Sequence, residues 1–238
     1  MDWVSRIKSG RSLAILIDPE KTAVDYAFAK AISKKALSLK KKLNLNEVFF
    51  FIGGSTMEVD LDKWLKEFKG LVTLPVIIFP GSHEQVSIHC DAMLYLQFMS
   101  SRSAQYLIEE QIKSALFIKQ HKILAIPTSY LLIDGGKSTA VQRVTNSQPY
   151  KQTDIELITA TTVAGELLGH KLVYLEAGSG AVLPVAAGII EKVKSSCSLP
   201  IIVGGGLRDV SQIERAFTSG ASLCVVGTAI EENVEWMD

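Results

Sequence analysis

The chain has 238 residues, 47% of them hydrophobic, and its 25 basic residues balance 25 acidic ones. This length suits a single domain over 1–238 with one large core, and the neutral charge gives no bulk attraction for nucleic acid. Three widely spaced cysteines favour reduced, buried thiols over a disulfide framework. No apolar run approaches the ~18 residues of a membrane span, and no signal-type segment follows the start, so we expect a soluble, cytoplasmic protein.

Eight apolar runs, most of them continuous, succeed one another along the chain, with helical patterns between most of them. Continuous apolar runs are typical of parallel strands that are covered on both faces. Their number and order predict an α/β fold, a (β/α)₈ TIM barrel, with an open doubly wound sheet as the alternative. The predicted strands are 13–18, 48–53, 76–80, 92–98, 123–127, 172–176, 201–204 and 223–227, and the predicted helices are 23–43, 61–69, 104–121, 154–168, 184–193 and 210–218.

Polar residues that end the first two strands are candidates for a metal site, because active sites of these barrels collect at the C-terminal ends of strands. Asp18 ends strand one, and the sequence predicts that Pro19 starts a helix and directs the carboxylate into the barrel mouth. A carboxylate there suits Mg²⁺, and the Ser55 hydroxyl after strand two could reach the same ion. The alternative for both residues is helix capping.

Two connections have unusual lengths. Only 81–91 separates strands three and four, which predicts a reduced or missing third helix and a gap in the outer ring. The stretch 128–153 is much longer than a usual connection, and long loops at this face often carry function.

Strand six ends in a carboxylate followed by a glycine loop. Alternation places Tyr174 and Glu176 on the inner side of the barrel. Glu176 is the candidate general base for a substrate hydroxyl, and Ser179 with neighbouring N–H groups is a candidate phosphate contact. The alternative is a structural glutamate bonded to a barrel lysine or arginine.

Strands seven and eight both stop in glycine, at Gly204-Gly205-Gly206 and at Gly227-Thr228. Glycine lets the backbone approach an anion, and N–H groups at a following helix start then bind it. Such a phosphate grip lies after strands seven and eight in these barrels.

Other motifs are excluded. His83, Glu84 and His89 miss the zinc-helix spacing, and no Gly-x-Ser-x-Gly surrounds Ser179. The glycine loops also lack the Walker and dinucleotide patterns, so neither ATP nor NAD is expected.

The chain resembles the geranylgeranylglyceryl phosphate synthase family, including its bacterial heptaprenylglyceryl phosphate synthase branch. The resemblance covers nearly the whole chain. It is carried by IDPEK at 17–21, IGGS at 52–55, PTSYLL at 127–132, YLEAGSG at 174–180, VGGGLR at 203–208 and VGTAIE at 226–231.

The resemblance implies an Mg²⁺-dependent prenyltransferase that joins sn-glycerol 1-phosphate to a polyprenyl diphosphate through an ether bond and releases diphosphate. It also implies a barrel without a regular third helix and a geranylgeranyl donor, with heptaprenyl or another length as alternatives. It assigns Asp18 and Ser55 to the metal, and Glu176 and Asp18 to catalysis. The implied substrate-binding residues are Tyr174, Glu176, Ala177, Gly178, Ser179, Gly180, Gly204, Gly205, Gly206, Gly227 and Thr228.

Several expectations accompany this assignment. Thr228 replaces an asparagine common in the family, and the prenyl tail is expected to leave through the gap at the third helix, near Phe98, Met99 and Tyr130. Trp64, Phe68 and Trp236 favour a homo-oligomer. Membrane contact is expected to be transient, because the donor is a lipid and no anchor is present. The competing enzyme class is a sugar-phosphate isomerase that uses Asp18 and Glu176 as its acid and base pair. A third class is a catalytically silent protein that keeps only the phosphate-binding glycines.

Overall fold

The computed structural model describes residues 2–227 and residue 230. Eight parallel strands close into a barrel in chain order, with β8 paired to β1. This confirms the predicted (β/α)₈ barrel over the open sheet. The strands are β1 (Ser12–Ile17), β2 (Glu47–Ile52), β3 (Val76–Ile78), β4 (Ala92–Phe98), β5 (Ala125–Leu132), β6 (Leu172–Glu176), β7 (Ile201–Gly204) and β8 (Leu223–Val226).

The helices surround this barrel, and several begin at a capping side chain. Asp25, Asp60 and Asp209 each accept a hydrogen bond from the backbone N–H three residues on, which satisfies an otherwise unpaired donor of the first turn. A π-helical turn, Gln105–Glu109, leads into α4. The helices are α1 (Trp3–Lys8), α2 (Tyr26–Lys42), α3 (Leu61–Leu71), α4 (Glu110–Gln120), α5 (Ala140–Thr145), α6 (Ile155–Leu167), α7 (Ala187–Ser196) and α8 (Val210–Thr218).

Apolar side chains form two layers, one on each side of the sheet. Phe49 and Phe51 lie in the barrel interior, whereas Phe50 packs outward against Phe68 of α3. Helix α1, which the sequence pattern did not predict, contributes Trp3 to the interior layer, where its ring packs edge-on against Phe49 at 6.0 Å. With only two buried residues, α1 is too short to show a helical period.

The ring of helices is interrupted between β3 and β4. Residues 79–91 contain no helix. The helix that would follow β3, which the sequence predicted to be reduced or missing, is therefore confirmed as missing. Strand β3 is itself only three residues long. The barrel wall is therefore short at β3, and no helix from residues 79–91 covers its outer side.

Three local predictions were wrong. Strand β5 continues through Thr128 and Ser129 to Leu132 instead of ending at 127, and α5 occupies part of the predicted loop. Both polar side chains are fully buried, but their hydroxyls bond a carbonyl of the same strand and the ring of a neighbouring histidine. Because their hydrogen bonds are satisfied, these two polar residues can be buried within a continuing strand. Pro19 does not start a helix either, since α2 begins later, with Asp25 as its cap.

The aromatic residues expected at an oligomer interface are buried in the chain's own core. Trp64 and Phe68 pack together at 4.9 Å, and the Trp64 indole donates to the Thr22 carbonyl at 2.8 Å. Trp236 lies outside the described residues. Within the described part, every helix is too short or too polar to cross a membrane.

All three cysteines are free thiols, as predicted. Cys224 is buried, but Cys90 and Cys197 are only half-buried, so the expectation of uniformly buried thiols was wrong.

Candidate active site

A cavity of about 370 Å³ opens at the C-terminal ends of the strands. This volume lies within the range of small-molecule sites. Its walls bring together most of the residues that the sequence singled out. Those lining it are Asp18, Ser55, Tyr174, Glu176, Ser179, Gly180, Gly205, Gly206 and Gly227.

Three other predicted substrate contacts do not line the cavity. Ala177 is fully buried in the layer outside the barrel. Gly178 packs against Thr139, and Gly204 lies behind the side chains that end β6. Thr228 lies outside the described residues. The glycine-rich segments therefore include positions that support the site from behind.

Glu176 is the buried carboxylate of this cavity, with 6% of its surface exposed. Burial raises its pKa from the ordinary value of 4.5 to about 7, against the opposing effect of the nearby Tyr174 hydroxyl and of the hydrogen bond from the Gly178 N–H. The Gly178 N–H donates to Oε1 at 2.6 Å. No lysine or arginine in the described part of the chain pairs with this carboxylate, so the alternative of a structural ion pair is not supported. The group is suited to exchanging a proton near neutral pH.

Glycines of the β7 end leave room for this carboxylate. A Cβ on Gly204 would lie 2.7 Å from Oε2 of Glu176, and one on Gly205 would lie 2.6 Å from Oε1. Gly205 also has φ +80°, a backbone conformation that L side chains rarely adopt. Larger residues at either position would collide with the general-base candidate.

The Tyr174 hydroxyl lies beside Glu176 and is fully buried. No protein atom described here makes a hydrogen bond of good geometry with it. Burial and the nearby Glu176 carboxylate raise the pKa of Tyr174 well above its usual value, so it remains a donor. The Phe79 ring stacks on the Tyr174 ring at 5.0 Å and fixes its position. An unpaired buried hydroxyl at a cavity wall points to a polar group of a ligand.

On the opposite side of the mouth, Asp18 and Ser55 both line the cavity. Asp18 Oδ1 accepts from the Glu20 N–H at 3.1 Å, and Oδ2 lies 3.4 Å from the Lys21 ammonium. Neither Asp18 nor Ser55 caps a helix, because α2 and α3 are capped by Asp25 and Asp60. The alternative capping roles are therefore wrong.

The carboxylate of Asp18 lies directly over Gly54, where a Cβ would be 2.8 Å from Oδ1. No cluster of three or more His, Cys, Asp or Glu exists among the described residues. One carboxylate and one hydroxyl still fit Mg²⁺, which is usually held by one or two carboxylates, water and phosphate oxygens.

The loop after β5 packs against the loop after β6. The Val182 and Leu183 N–H groups both donate to the Gly135 carbonyl, at 2.9 and 3.0 Å. The Lys137 ammonium lies 3.1 Å from where a Cβ on Gly180 would be. This loop thus forms the outer support of the predicted phosphate grip.

The cavity also extends through the low wall at β3. Met93 and Tyr95 of β4 belong to the layer outside the barrel, yet both line the cavity together with Leu96, Phe98 and Tyr130 of the inner layer. Two of the predicted tail-route residues, Phe98 and Tyr130, are therefore in place. Met99 is not, because the backbone after β4 turns away and Met99 packs in the outer layer.

The structure adds residues that the sequence did not single out as cavity-lining. Lys21 and Arg208 bring positive charge to the mouth, and Glu110 of α4 lies in the outer branch. Glu110 is distant in sequence from the glycine-rich segments, whereas Arg208 follows Gly206 by two residues. Only the closed barrel shows that they share one cavity.

Comparison with known proteins gives consistent matches. A family model described as the PcrB family matches residues 5–238. A geranylgeranylglyceryl phosphate synthase of Zunongwangia profunda is 43% identical over 221 residues, which cover 92% of this chain and 90% of the relative.

Solved structures agree. The (S)-3-O-geranylgeranylglyceryl phosphate synthase of Thermoplasma acidophilum, in complex with its substrate sn-glycerol-1-phosphate, has a TM-score of 0.86 at 30% identity and covers 98% of this chain and 93% of its own. The N-acetylmannosamine-6-phosphate 2-epimerase of Clostridium perfringens has a TM-score of 0.56 at 12% identity, over 97% of this chain and 91% of its own. The second likeness concerns the fold alone.

Proposed function

The chain belongs to the PcrB family, and we propose that it joins sn-glycerol 1-phosphate to a polyprenyl diphosphate, forming an ether and releasing diphosphate. The relatives named geranylgeranylglyceryl phosphate synthase support a geranylgeranyl donor. The proposed contacts of the glycerol phosphate are Tyr174, Glu176, Ser179, Gly180, Gly205, Gly206, Gly227 and Thr228.

The observation that carries this proposal is the shape of the cavity. A polar mouth with glycine-rich walls continues, over the short strand β3, into a branch walled by Met93, Tyr95 and Leu96. A sugar-phosphate isomerase needs the mouth but has no use for the apolar branch. A substrate pair with a phosphate on one member and a hydrocarbon chain on the other uses both parts.

In the proposed reaction, the free primary hydroxyl of glycerol phosphate attacks C1 of the prenyl chain. The new C–O ether bond forms as the bond from C1 to the diphosphate oxygen breaks. The hydroxyl proton passes to a carboxylate oxygen of Glu176, whose pKa of about 7 suits proton acceptance near neutral pH. The Tyr174 hydroxyl donates to the glycerol and orients it, which satisfies the orphaned donor.

Asp18 and Ser55 would hold Mg²⁺ on the diphosphate side of the mouth. The ion, when bound, neutralises charge on the departing diphosphate. The side chains of Asp18 and Ser55 position the diphosphate end of the donor away from Glu176. C1 of the prenyl chain then lies between the diphosphate and the glycerol hydroxyl. Lys21 and Arg208 add positive charge to the same cavity.

A homo-oligomer and transient membrane contact also belong to the proposal. Helix α4 exposes apolar side chains in steps of four residues, at Ile112 and Leu116, with 63% and 82% of their surfaces accessible. An exposed apolar stripe of this kind suits a protein or lipid surface.

The test incubates purified protein and Mg²⁺ with radiolabelled sn-glycerol 1-phosphate and geranyl, farnesyl, geranylgeranyl or heptaprenyl diphosphate. Label extracted into butanol reports the ether product. We expect product with the geranylgeranyl donor, dependence on Mg²⁺, and turnover reduced about 10²- to 10⁴-fold in Glu176→Gln. Absence of label with every donor, from a folded protein, would refute prenyl transfer and favour the sugar-phosphate isomerase. Preference for heptaprenyl would keep the reaction and correct the donor length.

A further inference from the structure

The apolar branch of the cavity occupies the layer where a third helix is missing. Its floor is the outer face of β4, with Met93 and Tyr95, and its far wall includes Ser114 of α4. On the other side lies the helix-free segment 79–91, which contributes Val86. The branch is therefore a groove between two walls, the segment 79–91 and α4.

One pair of side chains joins these walls. His83, in the segment 79–91, places Nδ1 2.8 Å from Oε2 of Glu110, the first residue of α4, and the His83 backbone N–H donates to the same oxygen at 2.8 Å. Gln105 Nε2 donates to Oε1 of Glu110 at 3.3 Å. Both members of the pair line the cavity. We call this pair the His83–Glu110 bridge.

The segment 79–91 is otherwise anchored on the opposite side. Gln85 Nε2 donates to the Gly54 carbonyl at 2.9 Å, and Ser87 Oγ donates to Asp62 at 2.6 Å. Among the described residues, no other hydrogen bond or ion pair links 79–91 to the stretch 99–120. In the described part of the chain, the bridge is therefore the only polar contact between these two walls of the groove.

Glu110 is ionised at neutral pH in this arrangement. Burial by itself would raise its pKa, but the hydrogen bonds from the backbone and ring of His83 outweigh burial and lower it. With two donors on Oε2 and another on Oε1, the carboxylate has its charge satisfied beside an apolar groove. The π-helical turn Gln105–Glu109 directly before it is a further irregularity of the kind found at functional sites.

We propose that the His83–Glu110 bridge fixes the width of the groove and selects donors whose hydrocarbon chain is long enough to pass it. The inference rests on the proposed prenyl transfer. His83 and Glu110 are positioning residues, since they lie in the outer branch and not at the Glu176 side of the mouth. A short donor ends before the bridge, whereas a long donor packs beneath it.

The test compares geranyl and geranylgeranyl diphosphate in His83→Ala and Glu110→Ala. For the long donor we expect KM to rise about tenfold with little change in kcat, because binding energy is lost equally in ground and transition states. For the short donor, and for glycerol phosphate, we expect less than about a twofold change in KM. The double variant should cost no more than the larger single change, because both residues form one contact.

Two matched controls lie beside the bridge. Glu109→Ala changes an exposed glutamate of the π-helical turn, and His89→Ala changes a histidine of the same segment that does not line the cavity. Both should retain wild-type kinetics with either donor. Thermal unfolding of each variant identifies loss of folding, and if Glu110→Ala does not fold, the His83→Ala result decides.

An equal rise in KM for short and long donors, or no rise for either, would overturn the bridge as a selector. If the wild type makes no product with any donor, prenyl transfer fails. Calorimetric binding of the two diphosphates to the same variants then tests the bridge separately. A loss confined to the long donor would support it, and any other pattern would overturn it.

Discussion

The two sides of the cavity are built from different materials. On the β6–β8 side, backbone and glycine form the wall, and the buried carboxylate of Glu176 lies against Gly204 and Gly205. On the β3–β4 side, the wall is made by side chains such as Tyr95 and Met93, where a helix is missing. The first side is rigid because close contacts fill it, and the second is open because an element of the fold is absent.

This difference divides the expected effects of mutation. Changes on the glycine-rich side should abolish a step or a binding site, because no space remains to accommodate them. Changes on the groove side should alter which donor is preferred, because apolar contacts are many and individually weak. The predictions below test the glycine-rich side and the Asp18 side of the mouth, and the variants of the His83–Glu110 bridge test the groove side.

The largest effect is expected from Glu176→Gln, which keeps the shape of the side chain and removes the proton acceptor. Turnover should fall about 10²- to 10⁴-fold, the usual contribution of a positioned general base, with little change in KM for either substrate. Steady-state kinetics measure this. In the wild type, kcat/KM should rise with pH through about 7, because only the ionised carboxylate accepts a proton. A variant with wild-type turnover would remove Glu176 from the mechanism.

Gly205→Ala should weaken glycerol phosphate binding by about two orders of magnitude. The new Cβ would lie 2.6 Å from the Gly178 nitrogen and from Glu176 Oε1, at a φ of +80° that alanine tolerates poorly. Calorimetry with glycerol phosphate measures the loss. Gly188→Ala is the control, because it lies in α7 with open space around it and should bind normally. Normal binding by Gly205→Ala would contradict a closely filled wall.

Asp18→Asn should reduce Mg²⁺-dependent turnover about 10- to 100-fold while retaining most of the glycerol phosphate affinity, because the proposed metal ligands lie across the mouth from Glu176. Kinetics over a range of Mg²⁺ concentration measure the turnover, and calorimetry measures the glycerol phosphate affinity. Removal of Mg²⁺ by a chelator should lower wild-type turnover at least as far. Parallel loss of glycerol phosphate binding would show that the Asp18 side of the mouth is not separate from the glycerol phosphate site.

The carboxylate that we propose as the general base should weaken the fold. Burial raises the pKa of Glu176 from 4.5 to about 7, so its contribution to stability is present below pH 4.5 and is lost as pH rises through about 7. Glu176→Gln should therefore be more stable than the wild type at pH 8, by on the order of 3 kcal/mol, and equal to it at pH 4. Denaturant unfolding at both pH values measures this, and a gain independent of pH would contradict the assignment.

The smallest effect is expected from Tyr174→Phe. Removal of the unpaired buried hydroxyl should stabilise the ligand-free protein by about 1 kcal/mol, while KM for glycerol phosphate rises roughly tenfold. Unfolding with and without glycerol phosphate measures both. Destabilisation of the ligand-free variant would mean that the hydroxyl has a partner within the protein.

Much of the fold and part of the site could be predicted from sequence. The continuous apolar runs predicted the barrel, and the short connection before β4 predicted the reduced or missing helix. Asp18, Ser55 and Glu176 could be assigned to one cavity because each lies at or just after a strand end, and all such ends meet at one mouth. Local pattern and general topology were sufficient for these residues.

Other features depend on contacts that a single sequence does not reveal. Gly204 was expected to approach a phosphate, but it makes room for Tyr174 and Glu176. Thr128 and Ser129 looked like loop residues because their buried hydrogen-bond partners are not visible in the pattern. The bridge joins His83 to a residue 27 positions away, which only tertiary structure brings together.

A crystal structure with both sn-glycerol 1-phosphate and an unreactive thiolo analogue of geranylgeranyl diphosphate tests the division of the cavity most directly. We expect the phosphate to lie against Ser179, Gly206 and Gly227, and the diphosphate to lie beside Asp18. We expect the hydrocarbon chain to lie over β3 and beneath the His83–Glu110 bridge. A chain that leaves the mouth by another route, or a glycerol phosphate bound on the Asp18 side, would contradict it.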